Sequence, residues 1–323
     1  MLRKSLGVAL AAVLPVVPVT ASSQAAYPDK PIRMVVPLPP GGGADFLARL
    51  LAEQLGKDQG WNVIIENRGG AGGSIGSNHV AQATPDGYTL VFGYSASHSI
   101  NPVISSLPYD PVADFTPVTL AAFAPNMLVV NSDLPARSVK ELIELARSKP
   151  GALRYASAGT GSAPHMSGEL FNHMAGTQMI HVPYKGAGPA LVDVIGGHVE
   201  LTFTSLPAGL PHARKGAVRM LAVTGSKRAS LLPDLPTVAE SGLPGFDTDQ
   251  WYGVLGPKGL PPAVVARLHE AVAKALQAPE LKTKAQEQGF ELAGEPAEVF
   301  QRHLESELAK WRKLAKDANI QPQ

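Results

Sequence analysis

The chain of 323 residues has no cysteine, 45% hydrophobic and 17% charged residues, and is unusually rich in turn formers, with 32 glycines and 29 prolines. That composition excludes a disulfide scaffold, a coiled coil and a disordered tail protein. Lys plus Arg (28) almost balances Asp plus Glu (27), and no basic run inside the chain exceeds Lys227-Arg228, so nucleic acid is not an expected partner.

Residues 1–25 differ from the rest. Arg3 and Lys4 precede an apolar stretch from Leu6 to Val19, and small residues follow, ending Ser23-Gln24-Ala25. This is the anatomy of a cleavable signal peptide, too short to span a bilayer that needs roughly 20 apolar residues in a helix. Cleavage after Ala25 would remove two positive charges and leave a mature chain near −1. Without cysteine the exported protein has neither disulfides nor a thiol-linked lipid anchor, so its stability must come from a large buried core. A soluble periplasmic protein is the expectation.

The elements then follow in order. Ile32–Pro37 predicts a strand, a glycine loop follows, and residues 44–57 predict a helix with Phe46, Leu47, Leu50, Leu51 and Leu55 on one face. Val63–Glu66 and Tyr88–Phe92 read as strands around a helix at 74–83. Residues 102–117 are proline-punctuated and irregular. A strand at Met127–Val130 carries the chain into a second unit, where Ser138 and Glu141 form a capping-box start for a helix to Ser148. Strand, loop, helix and strand recur at 153–156, 157–163, 164–175 and 179–182. A helix near 189–195 and strands at 199–203 and 220–223 complete this unit. After a second proline-rich stretch, 232–244, a short run at 251–255 precedes three helices at 262–276, 279–288 and 296–316, expected to return to the first unit. The alternation predicts an α/β protein of two lobes, domain 1 comprising 26–127 and 251–323 and domain 2 comprising 128–250, with a ligand cleft between them beyond the carboxyl ends of the strands.

Enzyme signatures fail in specific ways. Gly93-Tyr94-Ser95-Ala96-Ser97 has Ser97 where a nucleophile elbow needs glycine, and a cysteine nucleophile is impossible. His269-Glu270 lacks the second histidine of a zinc helix, because position 273 is alanine. No glycine loop ends in Gly-Lys-Ser or Gly-Lys-Thr. Arg68-Gly69-Gly70 occurs once and reads as a turn. No enzyme activity, metal or cofactor is expected.

What remains is a set of strand-end loops that offer backbone amides and hydroxyls. Pro39-Pro40-Gly41-Gly42-Gly43-Ala44-Asp45 leads into a helix whose unpaired first-turn amides suit an anion, although Asp45 capping a plain turn is an equally open reading. Ser157-Ala158-Gly159-Thr160-Gly161-Ser162-Ala163-Pro164-His165 repeats that logic in the other lobe. His165 either donates to an anion or packs at the helix start. Lys185, before Gly186, either lends positive charge to the cleft or is a solvated loop lysine. Ser95, Ala96 and Ser97 end one strand, and Thr204 and Ser205 another; their hydroxyls select a ligand or satisfy local backbone. Trp251 and Tyr252 read equally as core or as ligand wall.

At these residues the chain resembles the periplasmic solute-binding proteins of tripartite tricarboxylate transporters, the Bug family. The resemblance spans nearly the whole mature chain: Tyr27-Pro28-Asp29-Lys30-Pro31-Ile32, Pro39 to Asp45, Glu66 to Gly73, Pro85-Asp86-Gly87-Tyr88-Thr89-Leu90, Leu107-Pro108-Tyr109-Asp110-Pro111, Gly159 to His165 and Val182-Pro183-Tyr184-Lys185-Gly186. It implies a type II Venus-flytrap fold that holds one carboxylate between the Pro39–Asp45 and Gly159–His165 loops, partly through waters. It also implies delivery of a small carboxylate, whether a di- or tricarboxylate, acidic amino acid or aromatic acid, to membrane permease subunits; a monomer suits the hinge closure best. Thr204 and Ser205 stand where relatives commonly have an acidic or amide residue, which leaves the far end of the ligand open. The alternatives are a receptor feeding a sensor kinase and an exported serine hydrolase.

Overall fold

A computed structural model describes residues 27–317 and Ile320; the predicted signal peptide lies outside the described residues. In chain order the strands are β1 (Ile32–Val36), β2 (Val63–Asn67), β3 (Thr89–Tyr94), β4 (Phe115–Ala124), β5 (Asn126–Asn131), β6 (Arg154–Ser157), β7 (Ile180–Pro183), β8 (Leu201–Ser205), β9 (Val218–Val223), β10 (Gln250–Pro257) and β11 (Glu291–Pro296). The helices are α1 (Gly43–Gln59), α2 (Ser74–Ala81), α3 (Asn101–Ile104), α4 (Val139–Ser148), α5 (Ala163–Ala175), α6 (Ala187–Ile195), α7 (Leu206–Arg214), α8 (Pro262–Ala275), α9 (Pro279–Glu287) and α10 (Ala297–Asp317). A 3-10 turn at Ala71–Gly73 and a π-turn at Ala96–Ile100 complete the set.

Two mixed sheets result. The first has the order β11-β4-β10-β3-β1-β2 and the second β7-β6-β8-β5-β9. Within the first, β1 runs parallel to β2 and β3, whereas β10 runs antiparallel to β3 and β4. Within the second, β6 is parallel to β7 and β8, and β5 is antiparallel to β8 and β9. The chain leaves the first sheet at Ala124, enters the second at Asn126 and returns at Gln250. This is the two-sheet α/β architecture that the alternation of strand and helix patterns predicts.

The expected helix faces are buried. Leu47, Leu51 and Leu55 of α1 pack with Met34, Phe92 and Val254 in one cluster, and Met166, Leu170 and Phe171 of α5 pack with Phe203 and Phe246 in another. Burying such side chains contributes about 1.5–3 kcal/mol each. At the start of α4 the Glu141 N–H donates to Ser138 Oγ at 3.2 Å, while the Glu141 carboxylate accepts from Arg137 N–H at 2.7 Å, one residue earlier than an ideal capping box. Helix α10 serves both sheets: Phe300 and Leu304 pack with Val35 and Trp251 of the first, and Trp311 and Leu314 join Leu128 and Phe171 of the second.

Besides the short helix α3 and the two turns, three elements lie where the sequence pattern predicts none. Strand β4 emerges from the proline-rich stretch, with Pro117 opposite Leu255 next to a register shift that tolerates it. Strand β11 is a half-exposed edge with Gly294 and a bulge against β4. Helix α7 contains Pro207 and Pro211 and is held by Leu206 and Leu210 in the core beside Met127 and Val129.

Candidate functional site

The site forms where the chain changes sheets. Residue pairing places Gln250 beside Ala124 and Asn126 beside Ser205, so the two crossings lie next to the end of β8. Ser95 follows directly on β3 in the first sheet. Ser95, Asn126, Ser205 and Gln250 floor a cavity of about 560 Å³, whose walls come from Ala71, Gly72 and Ser74, from Ala158 and Thr160 to His165, and from Ile104 to Leu107. A second cavity of about 500 Å³ shares Asn126, Ser205 and Gln250 and is lined by Gly41, Gly42, Gly43, Phe46, Tyr252 and Phe290.

Five helices begin at these cavities: α2 behind Gly73, α5 behind Ser162, α6 behind Gly186 and α7 behind Ser205 at the first, and α1 behind Gly42 at the second. None of the five carries a side-chain cap. Ser162 has a capping hydroxyl, but it donates to Gly159 O at 2.6 Å instead. Each N-terminus therefore keeps unpaired amides and roughly half a positive charge. No Asp, Glu, Lys or Arg lines either cavity among the described residues. The helix ends favour an anion with no lysine or arginine lining the cavities.

Three buried polar atoms on the first cavity have no partner among the described residues: Ser95 Oγ, Asn126 Nδ2 and Thr204 Oγ1. A buried donor left unmatched costs about 1–3 kcal/mol. All three can donate, so an oxygen acceptor entering the cleft recovers that cost.

Several expected residues build the loops rather than face the cleft. Asp45 is buried behind the glycine loop; it accepts from Gly41 N–H at 2.9 Å, from Asn67 Nδ2 at 2.9 Å and from Arg49 at 2.9–3.0 Å. Burial pushes its pKa up, but the bonds from Arg49, Gly41 and Asn67 outweigh that and hold the carboxyl below its usual range. Ser157 Oγ meets the Gly159 amide and carbonyl at 3.0 Å and His181 Nε2 at 2.6 Å. His165 does line the cavity, yet its Nδ1 accepts from Gly161 N–H at 3.1 Å, and its ring lies 4.0 Å from that of His181. Burial pushes both imidazoles down to about 4, so His165 is neutral near pH 7 and acts as a loop organiser. Pro40 and Lys185 are exposed, Ala44 is core, and Gly186 is the N-cap of α6; none lines either cavity.

The expected residues that do meet at the first cavity are Ser95, Ala96, Thr160, Gly161, Ser162, His165, Thr204 and Ser205, while Gly41, Gly42 and Gly43 meet Ser205 at the second. Asn101, Asn126, Gln250, Ser74, Ala187 and Ile320 join the first cavity without a motif to mark them, and Leu107 joins it from the Leu107–Pro111 motif. Asn126 and Gln250 had one signal, since a polar residue at each predicted crossing must face either lobe or cleft. Tyr252 proves to be a wall of the second cavity, whereas Trp251 is core, its Nε1 donating to Ser99 Oγ at 3.3 Å. Ser97 meets His98 Nδ1 at 2.8 Å, but both are fully buried, and burial pushes His98 down to about 3. That pair lines neither of the two cavities.

Residues 47–320 match the family described as Tripartite tricarboxylate transporter family receptor. Protein BugT of Bordetella pertussis is 39% identical over 265 residues, covering 80% of this chain and 79% of that protein. Among solved structures, R. palustris Rpa4515 with adipate is 42% identical at a TM-score of 0.80, covering 92% of this chain and all of that one. MatC (Rpa3494) from Rhodopseudomonas palustris with bound malate is 32% identical at a TM-score of 0.73, covering 89% of this chain and 99% of that one. The two-sheet architecture is thus the periplasmic-binding-protein fold, with two α/β sheets flanking a cleft.

Proposed function

The chain belongs to the tripartite tricarboxylate transporter receptor family, and from that premise we propose that it is a periplasmic receptor that captures a small organic carboxylate in the first cavity and delivers it to transporter permeases. The carrying observation is the cavity itself: uncapped helix N-termini and three unmatched donors converge on a space without a charged side chain. Such a site stabilises an anion by amide dipoles alone. Binding of adipate by one relative and of malate by another supports the same chemistry.

Residues 26–127 with 251–323 form one lobe in this reading, and 128–250 the other. The ligand bridges them through Ser95 and Ser74 on one side and Thr160 to Ser162 on the other. Contacts made only when both walls engage would stabilise the closed form that a permease recognises. Residues 1–25 direct export and are removed. No step makes or breaks a covalent bond, so neither an enzyme activity nor a cofactor is part of the proposal, and the receptor works as a monomer.

The test is a thermal-shift screen of the mature protein, unfolded and refolded to strip carried-over ligand, against carboxylic acids paired with their uncharged amides. Ligand at a hundredfold excess over its dissociation constant stabilises the native state by about 2.7 kcal/mol. An acid that raises the melting temperature while its amide does not supports carboxylate capture. A flat response to every acid refutes it.

A further inference from the structure

Resting on the reading of two lobes that close on a ligand, we infer that Glu291 and Ser230 form a latch outside the binding cavity, which holds the lobes in the arrangement where the cavity's walls meet. Among the described residues, the hydrogen bonds and ion pairs that join residues 128–250 to the rest of the chain fall in three places. One is the crossings, where Asn126 N–H donates to Thr224 Oγ1 at 3.0 Å and Thr224 N–H to Asn126 O at 2.9 Å. Another is helix α10, where Lys310 Nζ donates to Asp247 O at 3.0 Å and Asp317 lies 3.6 Å from His173 Nε2. The third is Glu291 at the start of β11. Its Oε1 accepts from Ser230 N–H at 2.6 Å and its Oε2 from the Ser230 hydroxyl at 2.8 Å.

Neither partner can follow the other if the lobes separate. Phe290 and Leu292 fix Glu291 to the core of the first sheet, while Ala229, Leu231 and Leu232 fix Ser230 to a core of the second. A carboxylate that accepts through both oxygens is also held in one orientation. Beside it, Gly289 has φ of +76° and brings its turn onto helix α7, so that a Cβ there would come within 3.0 Å of Leu206 Cβ. Leu206 follows Ser205, which lines both cavities, so the latch closes next to the floor of the site without touching its contents. Bonds made only in this arrangement raise its population. A ligand that needs both walls then binds more tightly by the same factor.

Spin labels on Asp58→Cys and Lys149→Cys, exposed positions on α1 and at the end of α4, report lobe separation in a chain with no cysteine of its own. Label-to-label distances are measured by pulsed electron spin resonance on the stripped mature protein with no acid added, so the result is independent of what the cavity binds. Glu291→Ala should lower the ratio of molecules at the wild-type separation to all others about fivefold, the effect of one net hydrogen bond. Ser230→Ala, which keeps the amide donor, should lower it less, and should add nothing in the Glu291→Ala background. It carries the test alone if Glu291→Ala does not fold. Glu295→Ala, exposed on the same strand, should leave the ratio unchanged. Independent, additive effects of Glu291→Ala and Ser230→Ala overturn the inference. An equal shift from Glu295→Ala does so too, since it marks damage to β11. A wild-type distribution that is already broad and stays the same in Glu291→Ala overturns the latch and spares the two lobes. One narrow separation in every variant overturns the latch together with the lobe movement it rests on.

Discussion

Gly161→Ala tests whether the two walls of the cleft meet as the structure has them. Gly161 has φ of +77° and lies on the cavity, and a Cβ placed there would come within 2.2 Å of Ile104 Cδ1 and 3.6 Å of its Cγ1. Ile104 ends α3, on the far side of the mouth, and is itself buried. Two costs follow. A side chain in the left-handed region costs about 1–2 kcal/mol. Carbon atoms normally approach no closer than about 3.5 Å, so Ile104 must rotate or the walls must part, and an off-rotamer side chain costs about 0.5–1.5 kcal/mol.

The variant should therefore lose about 2–3 kcal/mol, roughly 4–6 °C in melting temperature for a chain of this size. Its affinity for the best acid should fall at least about tenfold, because rotation of Ile104 fills the cavity and separation of the walls breaks the two-sided grip. Calorimetry and thermal melts on Gly161→Ala, Ile104→Ala and the double variant separate the terms. Ile104→Ala alone costs up to about 2–5 kcal/mol through the space it leaves. The double variant should be more stable than the two single losses predict, by about 1 kcal/mol or more, since the new methyl enters that space. Strict additivity together with unchanged affinity would refute the placement of Gly161 against Ile104.

Two further predictions concern groups that shape the loops. Asp45→Ala leaves Gly41 N–H and Arg49 without their acceptor, so chemical denaturation should show a loss of about 2–4 kcal/mol at pH 7; Asp45→Asn, which keeps the acceptor but not the charge, should fall in between. Because Asp45 is held below its usual range, this difference should be present above about pH 4 and shrink below it as the carboxyl protonates, and a pH-independent difference would show that charge plays no part. His165 and His181 have folded pKa values pushed down from 6.5 to about 4, so the unfolded chain takes up their protons first, and stability present above pH 6.5 is lost as the pH falls towards 4. The buried His165 contributes on the order of 2 kcal/mol to that loss and the partly exposed His181 less. His181→Gln should flatten the melting-temperature profile between those limits, and an unaltered slope would remove the imidazole pair as its cause.

Legibility in the sequence followed the physics of each segment. Helices α1, α4 and α5 repeat apolar residues every three or four positions because one face packs on a sheet, and strands β1 and β5 are mostly apolar without alternation because both their faces are largely covered. Strand β11, reading Glu-Leu-Ala-Gly-Glu-Pro, has no such pattern. It exists because β4 presents an unpaired edge, a tertiary fact that local propensity cannot carry. Helix α7 reads as a turn, since two prolines and a glycine occupy nine residues, yet burial of Leu206 and Leu210 overrides propensity. The glycine loops were legible as sites because close approach to backbone leaves a compositional trace. Asn126 and Gln250 leave no such compositional trace, and only their place at the predicted crossings marks them.

The position of those two residues nevertheless explains how occupancy could control shape. Asn126 and Gln250 sit on the two strands that join the sheets, one residue beyond Pro125 and one beyond Asp249, and both face the cavity. In the proposed two-lobe reading, rotation of one lobe against the other passes through their backbone, so a ligand that fixed the Asn126 amide would restrain the joint as well as the walls. Helix α10 opposes unlimited opening, because Phe300 and Trp311 anchor its two halves in different cores. A site that stabilises its ligand by amide dipoles, with no buried ion pair to desolvate on each cycle, can close on an anion and still release it. Receptors that hand cargo on need that balance, and a lysine or arginine in the cleft would shift it towards retention.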